Sequence, residues 1–466
     1  MFSFYSDMGL RGSTFFDSDT FGADKLVVGF GRRTIRESVH ETPLSDQAKL
    51  DAVRLYETNE NYFEGLSAEE TREKLSHMSY KDYLLNVVKV DPDVLKLFRS
   101  SMYGTFVVGP DAIPAIFYRD SGYPGFDGLD IEDLPRNLLV NEPGGAHGRE
   151  NAERAGEGDP SMYFPDGNAT ITRLLVRSLV PGAVTGNSME DITTAAVSYN
   201  RLDNANNDCR IRLNSMVTEV RHLSEQQVQT TYVLNGKGYS VKSKNVIMAC
   251  WNTVIPYICP EIPAPQKSAL SYGKKSPLMY CGVLVSNWRP FVEAGVSRIS
   301  APGLLFADTS LQASLNTGDY ATNRDPDQPI VVRMGAYFDE PDKGLSRREQ
   351  HLAGRRKMLA TSFDEFEFQM RDKLTRALGS FGFDDERDIL GLTVNRWPHG
   401  YAYSYNPLSD PDEWAYSTTP ERPAIVGRER HGRIAIANSD AAASPHTDAA
   451  INEAYRAVTE IVESGG

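Results

Sequence analysis

An aromatic segment late in the chain holds the residue types most suited to chemistry. Trp397, Tyr401 and Tyr403 surround a single histidine, His399. Aromatic faces attract cations. In an extended chain, Tyr401 and Tyr403 face the same way. The pattern fits either a site for a cationic group or an aromatic core strand, and His399 fits either a proton acceptor or a structural histidine.

A second candidate site follows a short apolar strand over residues 434–437. The strand leads into the polar residues Asn438 to Asp440, an alanine-rich turn, and a helix that begins near Thr447 and Asp448. A helix N-terminus presents unpaired amides and about half a positive charge, so it suits an anionic group. Small side chains over residues 441–444 would let the backbone approach a flat ligand. The alternative is a plain strand–helix packing unit with Thr447 or Asp448 as the cap.

These candidate sites need elements that position them, and apolar periodicity predicts several. Residues 45–115 carry apolar side chains at three- and four-residue spacing, and Ser67 with Glu70 forms a capping box, so we predict a helical lobe. From Gly122 to Asp159 the chain is rich in glycine, proline and acidic residues, which predicts a long surface loop or lid. An amphipathic helix is predicted over residues 169–180.

Strands and long helices are predicted for the rest of the chain. The turn before the helix offers Asp166 or Asn168 as its N-cap. Residues 209–223 alternate as a strand does, and the Asn235-Gly236 pair between alternating runs predicts a hairpin. Residues 346–382 predict one or two amphipathic helices whose mixed charges are most simply a solvated face.

Composition excludes several classes of protein. The 466 residues carry 49 lysines and arginines against 63 aspartates and glutamates, a net charge of −14 at pH 7. This balance argues against a nucleic acid as partner and favours a cationic one. No apolar run approaches the ~18 to 20 residues that span a bilayer, and the first residues lack the regions of a signal peptide. The four cysteines show no zinc-site or disulfide-framework spacing, so no metal is predicted.

Four blocks of sequence, in a fixed order, resemble a known family. They are FPDGNATITRLLVRSLVPGA, NVIMACWNTVIPYICPEIPAPQKSAL, TVNRWPHGYAYSYNP and GRIAIANSDA. In order and wording, the chain resembles the flavin-dependent amine oxidase superfamily and, within it, the bacterial spermidine dehydrogenases. The resemblance extends from about Gly12 to the C-terminus.

The resemblance implies a two-lobe α/β fold of the FAD/NAD(P)-binding, amine-oxidase-like type, with an α+β substrate lobe. Residues 1–44 would be the remnant of a connection between the lobes. The FAD lobe would be assembled from residues 160–262 and 424–466. The substrate lobe would comprise residues 45–159, including the lid, and the mixed sheet and helices of residues 263–423.

The resemblance also implies which residues hold FAD. Val217 would contact the adenine end and Ala249 the pyrophosphate. Asp440 stands where the superfamily usually has the glutamate of Ala-Gly-Glu, in a segment that here reads Ala-Asn-Ser-Asp. The other cofactor-side residues are Phe164 to Asn168, Asn438, Ser439, Thr447, Asp448 and Ala449.

On the substrate side, the resemblance places Trp397, Tyr401 and Tyr403 against the flavin. Related oxidases hold a water beside flavin N5 with a lysine, and Lys275 lies nearest that place, with Lys274 or a merely solvated loop lysine as alternatives. Some spermidine dehydrogenases carry haem beside FAD, which makes His399 a candidate axial ligand. The sequence has no CxxCH motif for covalent haem attachment.

The resemblance further implies a unit that this sequence does not contain. Family members begin with a βαβ unit whose GxGxxG turn binds the FAD pyrophosphate. The segment from Val27 to Gly31 continues as GFGRRT, which lacks the third glycine. We therefore expect an N-terminally truncated member of the fold, which binds FAD weakly or not at all unless a second chain supplies the missing nucleotide-binding unit.

The function implied by the resemblance is oxidation of a secondary amine in a polyamine such as spermidine. FAD takes a hydride from the carbon beside nitrogen, and water then splits the imine. One alternative is an inactive remnant or a subunit that binds a polyamine or another partner, and a second is a flavin oxidoreductase for another amine. The electron acceptor and the presence of haem stay open. Localisation stays open too, because related enzymes are often periplasmic, whereas this chain, if complete, would be cytoplasmic.

Overall fold

The computed structural model describes residues 3–30, 35–131 and 164–463. The strands are β1 (Arg11–Phe16), β2 (Lys25–Val28), β3 (Met216–Ser224), β4 (Gln227–Leu234), β5 (Lys237–Ser243), β6 (Val246–Met248), β7 (Leu278–Val285), β8 (Val296–Ser300), β9 (Asp308–Leu311), β10 (Asn316–Thr317), β11 (Tyr320–Ala321), β12 (Ile330–Tyr337), β13 (Ile389–Trp397) and β14 (Ile434–Ile436). The α-helices are α1 (Ser3–Asp7), α2 (Ser18–Phe21), α3 (Ile35–His40), α4 (Asp46–Glu57), α5 (Ala68–Ser76), α6 (Tyr80–Asp82), α7 (Leu95–Phe98), α8 (Tyr103–Phe106), α9 (Ala115–Asp120), α10 (Ala169–Leu179), α11 (Ile255–Ile258), α12 (Ala264–Leu270), α13 (Arg289–Glu293), α14 (Arg347–Ala360), α15 (Phe363–Leu378), α16 (Asp385–Asp388), α17 (Asp412–Tyr416), α18 (Pro423–Arg428) and α19 (Thr447–Glu463). A π-helical turn covers Tyr83–Val88, and 3-10 turns cover Pro92–Val94, Tyr199–Arg201, Asn252–Val254 and Gly379–Phe381.

The largest element is a seven-stranded sheet in the order β13-β7-β12-β9-β8-β1-β2. Neighbouring strands are antiparallel, except that β1 runs parallel to β8. Because side chains alternate along a strand, every second residue of β7 and β12 enters one core. There Val283, Val332 and Met334 pack with Phe366 and Met370 of α15. The long helices therefore cover one face of the sheet.

A helical layer over residues 35–131 has its own aromatic core. Tyr80 and Tyr83 are buried and stack on Phe126 at centroid distances of 5.8 and 4.7 Å. The capping box of Ser67 and Glu70 at the start of α5 is confirmed. This layer packs as a unit because its helices are short and joined by tight turns, so that aromatic side chains fill the space between them.

Two predictions about irregular segments need correction. The loop predicted from Gly122 begins as part of the helical core, because Phe126, Leu129 and Ile131 are buried. The rest of that loop and lid, residues 132–159, lies outside the described residues. The strand predicted over residues 209–223 starts only at β3, since Asn214 takes a left-handed φ of 53° that interrupts extended backbone.

A smaller unit combines the parallel pair β6–β14 with the antiparallel sheet β3-β4-β5. The predicted Asn235-Gly236 hairpin joins β4 to β5, with φ values of 50° and 75°, as a type I′ turn requires. The C-terminal strand, turn and helix are confirmed, and α19 lies on β14 because Ala457 packs with Ala435 and Ala437. This unit positions the polar residues that follow β14.

The N-terminal residues add two strands to the large sheet. β1 pairs with β8 on one side and with β2 on the other. Residues 1–44 were predicted to be a connection between the lobes, and these two strands were not predicted. Within the described residues β2 pairs with β1 alone and runs antiparallel to it, so β2 is not the first strand of a parallel βαβ unit there. Over the described ranges, no helix combines the length and apolar composition needed to cross a membrane.

Candidate active site

Lys275 and Asp440 meet as a buried ion pair. Lys275 Nζ donates to Asp440 Oδ1 at 2.7 Å, and the side chains are only 10% and 12% exposed. The second oxygen, Asp440 Oδ2, accepts from the backbone N–H of Asn252 at 3.1 Å. Charges taken out of water persist only when they are paired and hydrogen-bonded. Lys275 was predicted on the substrate side and Asp440 on the cofactor side, and the structure places the two side chains in contact.

The turn after β14 holds Asp440 in place. Asn438 Nδ2 donates to the backbone oxygen of Cys250 at 2.6 Å, and Asn438 Oδ1 accepts from the N–H of Ala441 at 2.8 Å. Since Cys250 follows β6 and Asn438 follows β14, this bond joins the carboxyl ends of the two parallel strands. Ala249 stands between β6 and Cys250 at the same edge. Carboxyl ends of parallel strands are where open α/β sheets bind ligands.

A tight alanine-rich turn leads from this edge to α19. Residues 441–444 are buried, and the N–H of Ser444 donates to the backbone oxygen of Ser439 at 3.1 Å. α19 begins at Thr447, whose Oγ1 accepts from Asn168 Nδ2 at 2.8 Å. The positive end of the helix dipole therefore lies beside the turn.

The residues around Asn168 were expected to cap α10 and to face the cofactor. Asn168, one of the two predicted candidates, occupies the N-cap position of α10, but its side chain makes no cap hydrogen bond there. Asp166 contacts the hydroxyl of Thr170 in the first turn of the helix. Asn168 instead joins the start of α10 to the start of α19 through Thr447.

The loop that carries Lys275 is tied to the aromatic segment. The N–H of Ser276 donates to the backbone oxygen of Tyr401 at 3.1 Å. Arg355 of α14 donates to the backbone oxygen of Lys275 at 2.9 Å and to that of Pro398 at 2.7 Å. A single guanidinium therefore fixes the two loops relative to each other.

The charged residues of α14 were predicted to form a solvated face, and this prediction is wrong for three of its arginines. Arg347 is fully buried, with its guanidinium 4.6 Å from the ring centroid of Tyr403. Arg348 lies 4.0 Å from the ring centroid of Tyr272, and Arg355 reaches the Lys275 loop. Aromatic faces accept guanidinium groups, which lets this side of the helix turn inward.

His399 stacks on Trp251 beside the ion pair. The ring centroids are 3.7 Å apart and the planes are inclined by 28°. Burial, together with the positive charges of Arg355 and Lys275, lowers the pKa of His399 to about 4. The imidazole is therefore neutral near pH 7. Trp251 and Arg355 could not be picked out from the sequence, because neither stands in a recognisable spacing with His399.

The site residues fit a flat polar cofactor such as FAD. Among the buried side-chain polar atoms without a hydrogen-bond partner in the described part of the chain, four belong to residues of this site: His399 Nδ1, Trp251 Nε1, Ser276 Oγ and Ser444 Oγ. Buried polar atoms in native proteins are nearly always paired, so a ligand with hydrogen-bonding edges accounts for them. The small side chains of residues 441–444 and the start of α19 suit its close approach.

Trp397 and Tyr401 share an aromatic surface on the large sheet with a residue that sequence analysis missed. Tyr280 of β7 meets the edge of Trp397 at a centroid distance of 5.6 Å, and its hydroxyl lies 3.3 Å from that of Tyr401. Trp397 is 51% exposed, so the surface is accessible. The alternation of apolar residues in β7 could have indicated that Tyr280 lies opposite the core.

Tyr403 lies elsewhere, against the prediction that it faces the same way as Tyr401. It is buried, its hydroxyl donates to Asp410 Oδ2 at 2.7 Å, and its ring packs with Tyr272 and Tyr405. The chain beyond Tyr401 is not an extended strand, so the two tyrosines need not alternate as strand residues do. The alternative of core packing holds for Tyr403.

The remaining predicted cofactor residues divide between two places. Asp448 and Ala449 stand in the first turn of α19, next to the buried turn. Val217 stands in β3, paired with Tyr232, in a different sheet from Ala249 and Asp440.

A histidine–carboxylate cluster lies outside this site. Ligand-type atoms of His222, Glu261 and His431 all lie within 4.8 Å of one another. His222 Nδ1 contacts Glu261, and its Nε2 accepts from the N–H of Arg433 at 2.9 Å. Both ring nitrogens of His222 are already hydrogen-bonded, so His222 has no lone pair left for a metal. The same hydrogen bonds stabilise the turn before β14.

No family model matches this sequence, and no curated protein matches it. Among solved structures, wild-type putrescine oxidase bound to putrescine matches with a TM-score of 0.51 and 14% identity, over 99% of this chain and 85% of that chain. A double mutant from the redesign of its cofactor binding gives the same values. A single mutant matches over 100% of this chain and 85% of that chain, with the same TM-score and identity.

At this identity the likeness shows a shared fold. The chain therefore has the mixed α/β fold of putrescine oxidase, which confirms the predicted amine-oxidase-like fold.

Proposed function

We propose that this protein catalyses the FAD-dependent oxidation of an amine, with a polyamine of the spermidine type as substrate. The observation that carries the proposal is the Lys275–Asp440 pair, which stands at the carboxyl ends of β6 and β14 among unpartnered buried polar atoms. The fold shared with putrescine oxidase supports the reaction class.

Residues at the carboxyl ends of the parallel strands would hold the cofactor. They are Ala249, Asn438, Ser439, Asp440, residues 441–444 and Thr447 to Ala449. The amides at the start of α19 and the positive end of its dipole suit an anionic edge. FAD, when bound, supplies a two-electron acceptor for hydride from the carbon beside the amine nitrogen.

Lys275 has the geometry to hold a proton and a water at the reacting end. Its ammonium carries three donors, and Asp440 accepts one of them. Asp440 fixes the direction of Nζ, because its other oxygen is held by Asn252. The remaining donors can orient the water that hydrolyses the imine product.

The charges around His399 favour a neutral amine. Arg355 and Lys275 are both positive and both help to lower the pKa of His399 to about 4. Asp440 neutralises Lys275, so the uncompensated charge of Arg355 opposes an ammonium at this point, and the amine loses its proton before it reaches the reacting position. The neutral form carries the lone pair that hydride loss requires.

The aromatic surface and the net charge are suited to bind the ammonium groups of a polyamine that do not react. Trp397, Tyr401 and Tyr280 present ring faces and hydroxyls that attract a distant ammonium group. A net charge of −14 raises the local concentration of a polycation around the molecule.

Titration and turnover together test the proposal. The chain is titrated with FAD while flavin fluorescence is followed, and turnover with an artificial electron acceptor is then measured with spermidine, putrescine and a simple primary amine. We expect weak FAD binding, so turnover is measured with FAD in excess, and the highest kcat/KM with spermidine. Lys275→Met should lower kcat far more than FAD affinity.

Two outcomes decide against the proposal. Spermidine binding without turnover in FAD-loaded protein would identify a polyamine-binding subunit instead. Turnover confined to simple amines would retain the oxidoreductase and overturn the polyamine.

A further inference from the structure

His351 of α14 lies between the loop that carries Lys275 and the helical layer, and it is fully buried. Its Nδ1 lies 3.0 Å from the backbone oxygen of Lys274, and its Nε2 lies 3.0 Å from the backbone oxygen of Phe106, the last residue of α8. Backbone oxygens only accept hydrogen bonds, so each contact is a hydrogen bond only when that ring nitrogen carries a proton. His351 therefore connects the residue before Lys275 to the end of α8.

The imidazole of His351 has one proton for these two oxygens. Burial lowers the pKa of His351 to about 3, and the positive charges of Arg347 and Arg355 add to this effect. The two backbone oxygens act in the opposite direction but do not outweigh burial. The ring is therefore neutral near pH 7, and a neutral imidazole carries its proton either on Nδ1 or on Nε2. The tautomer decides which of the two oxygens His351 holds.

The segment before Lys275 depends more on a side-chain donor than Phe106 does. Residues 271–277 lie between α12 and β7 and form neither helix nor strand. The N–H of Phe106, by contrast, donates to the backbone oxygen of Met102 at 2.8 Å, and its ring stacks on Phe117 at a centroid distance of 5.7 Å. Buried backbone outside regular structure takes its hydrogen bonds from side chains or water. These contacts favour the tautomer with its proton on Nδ1.

Arg355, one turn further along α14, holds the next backbone oxygen of the same loop. It donates to the backbone oxygen of Lys275 at 2.9 Å, so α14 contacts two successive carbonyl groups. The side chain of Lys275 leaves this backbone and meets Asp440 at 2.7 Å. Displacement of either carbonyl group would change the direction of the Lys275 side chain.

We propose that His351 is a positioning residue for Lys275, and that its Nδ1–H tautomer fixes the lysine by donating to the backbone oxygen of Lys274. Its effect on catalysis rests on the proposed function, in which Lys275 orients the water that hydrolyses the imine. His351 acts through the backbone of the loop, because both of its ring nitrogens face backbone oxygens.

Two substitutions separate the two contacts of His351. The side-chain amide of asparagine reaches as far as Nδ1 and that of glutamine as far as Nε2, so His351→Asn keeps the donor to Lys274 and His351→Gln keeps the donor to Phe106. With FAD in excess, His351→Gln should lower kcat for spermidine by about tenfold to a hundredfold while KM changes little, because it disturbs a group that acts in the reacting step. His351→Asn should keep most of the wild-type kcat.

Lys373→Met is the matched control for lost stability. Lys373 is also fully buried, and its ammonium donates to the hydroxyl of Thr309 at 2.7 Å and to the backbone oxygen of Phe306. These bonds hold α15 on the large sheet, so the variant should lower Tm and leave kcat unchanged. Equal losses of kcat in His351→Asn and His351→Gln, or a loss in Lys373→Met as large as that in His351→Gln, overturns the proposal.

Nitrogen NMR gives a readout that needs neither FAD nor turnover. With isotopically labelled histidine, the His351 signals, assigned by their loss in His351→Asn, should show the proton on Nδ1. With labelled lysine, the Nζ signal of Lys275, assigned with Lys275→Met, should shift in His351→Gln and change far less in His351→Asn. A proton on Nε2, or an unchanged Lys275 signal in His351→Gln, contradicts the proposal. Absence of amine turnover in the wild type overturns the proposed function alone, because the NMR signals still decide whether His351 positions Lys275.

Discussion

Lys275 and Asp440 anchor the candidate site because neither charge can be removed alone. Each side chain is about nine-tenths buried, and each supplies the other with its opposite charge. Asn252 and Asn438 fix the backbone around the aspartate, so the carboxylate cannot turn away. The pair adds no net charge to the site, and the remaining positive charge comes from Arg355.

Loss of one partner should therefore cost more stability than loss of both. Asp440→Asn is expected to lower the free energy of unfolding by about 3 kcal/mol, because it leaves the Lys275 ammonium buried and unpaired. The double variant Lys275→Met, Asp440→Asn should recover part of that loss. Urea denaturation measures both.

The exposed pair of Arg289 and Asp327 supplies the control. Asp327→Asn should leave the free energy of unfolding close to that of the wild type, since exposed ion pairs contribute little. Equal losses for Asp440→Asn and Asp327→Asn would contradict a structural role for the buried pair.

His399 predicts a pH dependence with a definite sign. Its pKa falls from 6.5 to about 4 on folding. Between pH 6.5 and pH 4, the imidazole is therefore protonated in the unfolded chain and neutral in the folded chain. Stability from this group is complete above pH 6.5 and is lost as the pH falls towards 4. His399→Gln should lose less stability than wild type between pH 7 and pH 4.5.

The positive charge of Arg355 should also affect the pKa of His399. In Arg355→Gln the pKa of His399 should rise, because a positive charge beside the imidazole is removed. NMR titration of His399 measures this directly. Arg356→Gln removes an exposed neighbouring charge and should leave the titration of His399 unchanged.

Trp397 predicts an effect on substrate affinity. Trp397→Ala removes the exposed ring that meets Tyr280 and should raise KM for spermidine about fivefold, since an exposed cation–aromatic contact contributes up to about 1 kcal/mol. The kcat should change little, because the proposed contact is with a distant ammonium group of the substrate and is the same in the ground state and the transition state. Phe368→Ala, an exposed aromatic residue of α15, is the control, and a similar rise in its KM would dismiss a specific role for Trp397.

At the scale of elements, helix α14 joins the two halves of the site. It carries Arg355 to the Lys275 loop and to Pro398. Its distance from the strand β12 is set at Gly354, where an added Cβ would lie 2.0 Å from the backbone oxygen of Phe338. A glycine in the middle of a helix is unfavourable by itself, so this close approach explains its presence.

Gly354→Ala should therefore push α14 away from the sheet. We expect a loss of about 1 to 3 kcal/mol of stability, typical of overpacking, together with a fall in FAD affinity because Arg355 moves. Gly379→Ala is the control: its φ of −58° is helical, and the nearest atom to an added Cβ lies 3.9 Å away. That variant should be neutral or slightly stabilised, and a matching loss there would refute the steric explanation.

At the scale of the whole molecule, the net charge affects which small molecules the protein attracts. The net charge of −14 should attract polycations over several ångströms, and salt should screen that attraction. We expect kcat/KM for spermidine to fall steeply between 20 and 300 mM salt, on the order of tenfold, while kcat/KM for a monoamine falls much less. Equal salt dependence for the two amines would contradict long-range attraction.

Patterns of local origin could be predicted from the sequence. The capping box at Ser67, the Asn235-Gly236 hairpin and the C-terminal strand and helix all depend on residues close together in the chain, and the structure confirms them. Predictions that depended on orientation were less successful. The inward turn of Arg347 and the burial of Tyr403 depend on aromatic neighbours that are distant in sequence.

The sequence by itself determined which residue types were present for amine chemistry and where the strand and helix around Asp440 begin, because periodicity and capping act within a few residues. Only the tertiary structure decided that Lys275 meets Asp440 across 165 positions and that Trp251 stacks on His399. It also decided that Leu175 of α10 and Tyr455 of α19 are exposed. The physical reason is that burial and pairing depend on which distant segments pack together, which no local pattern records.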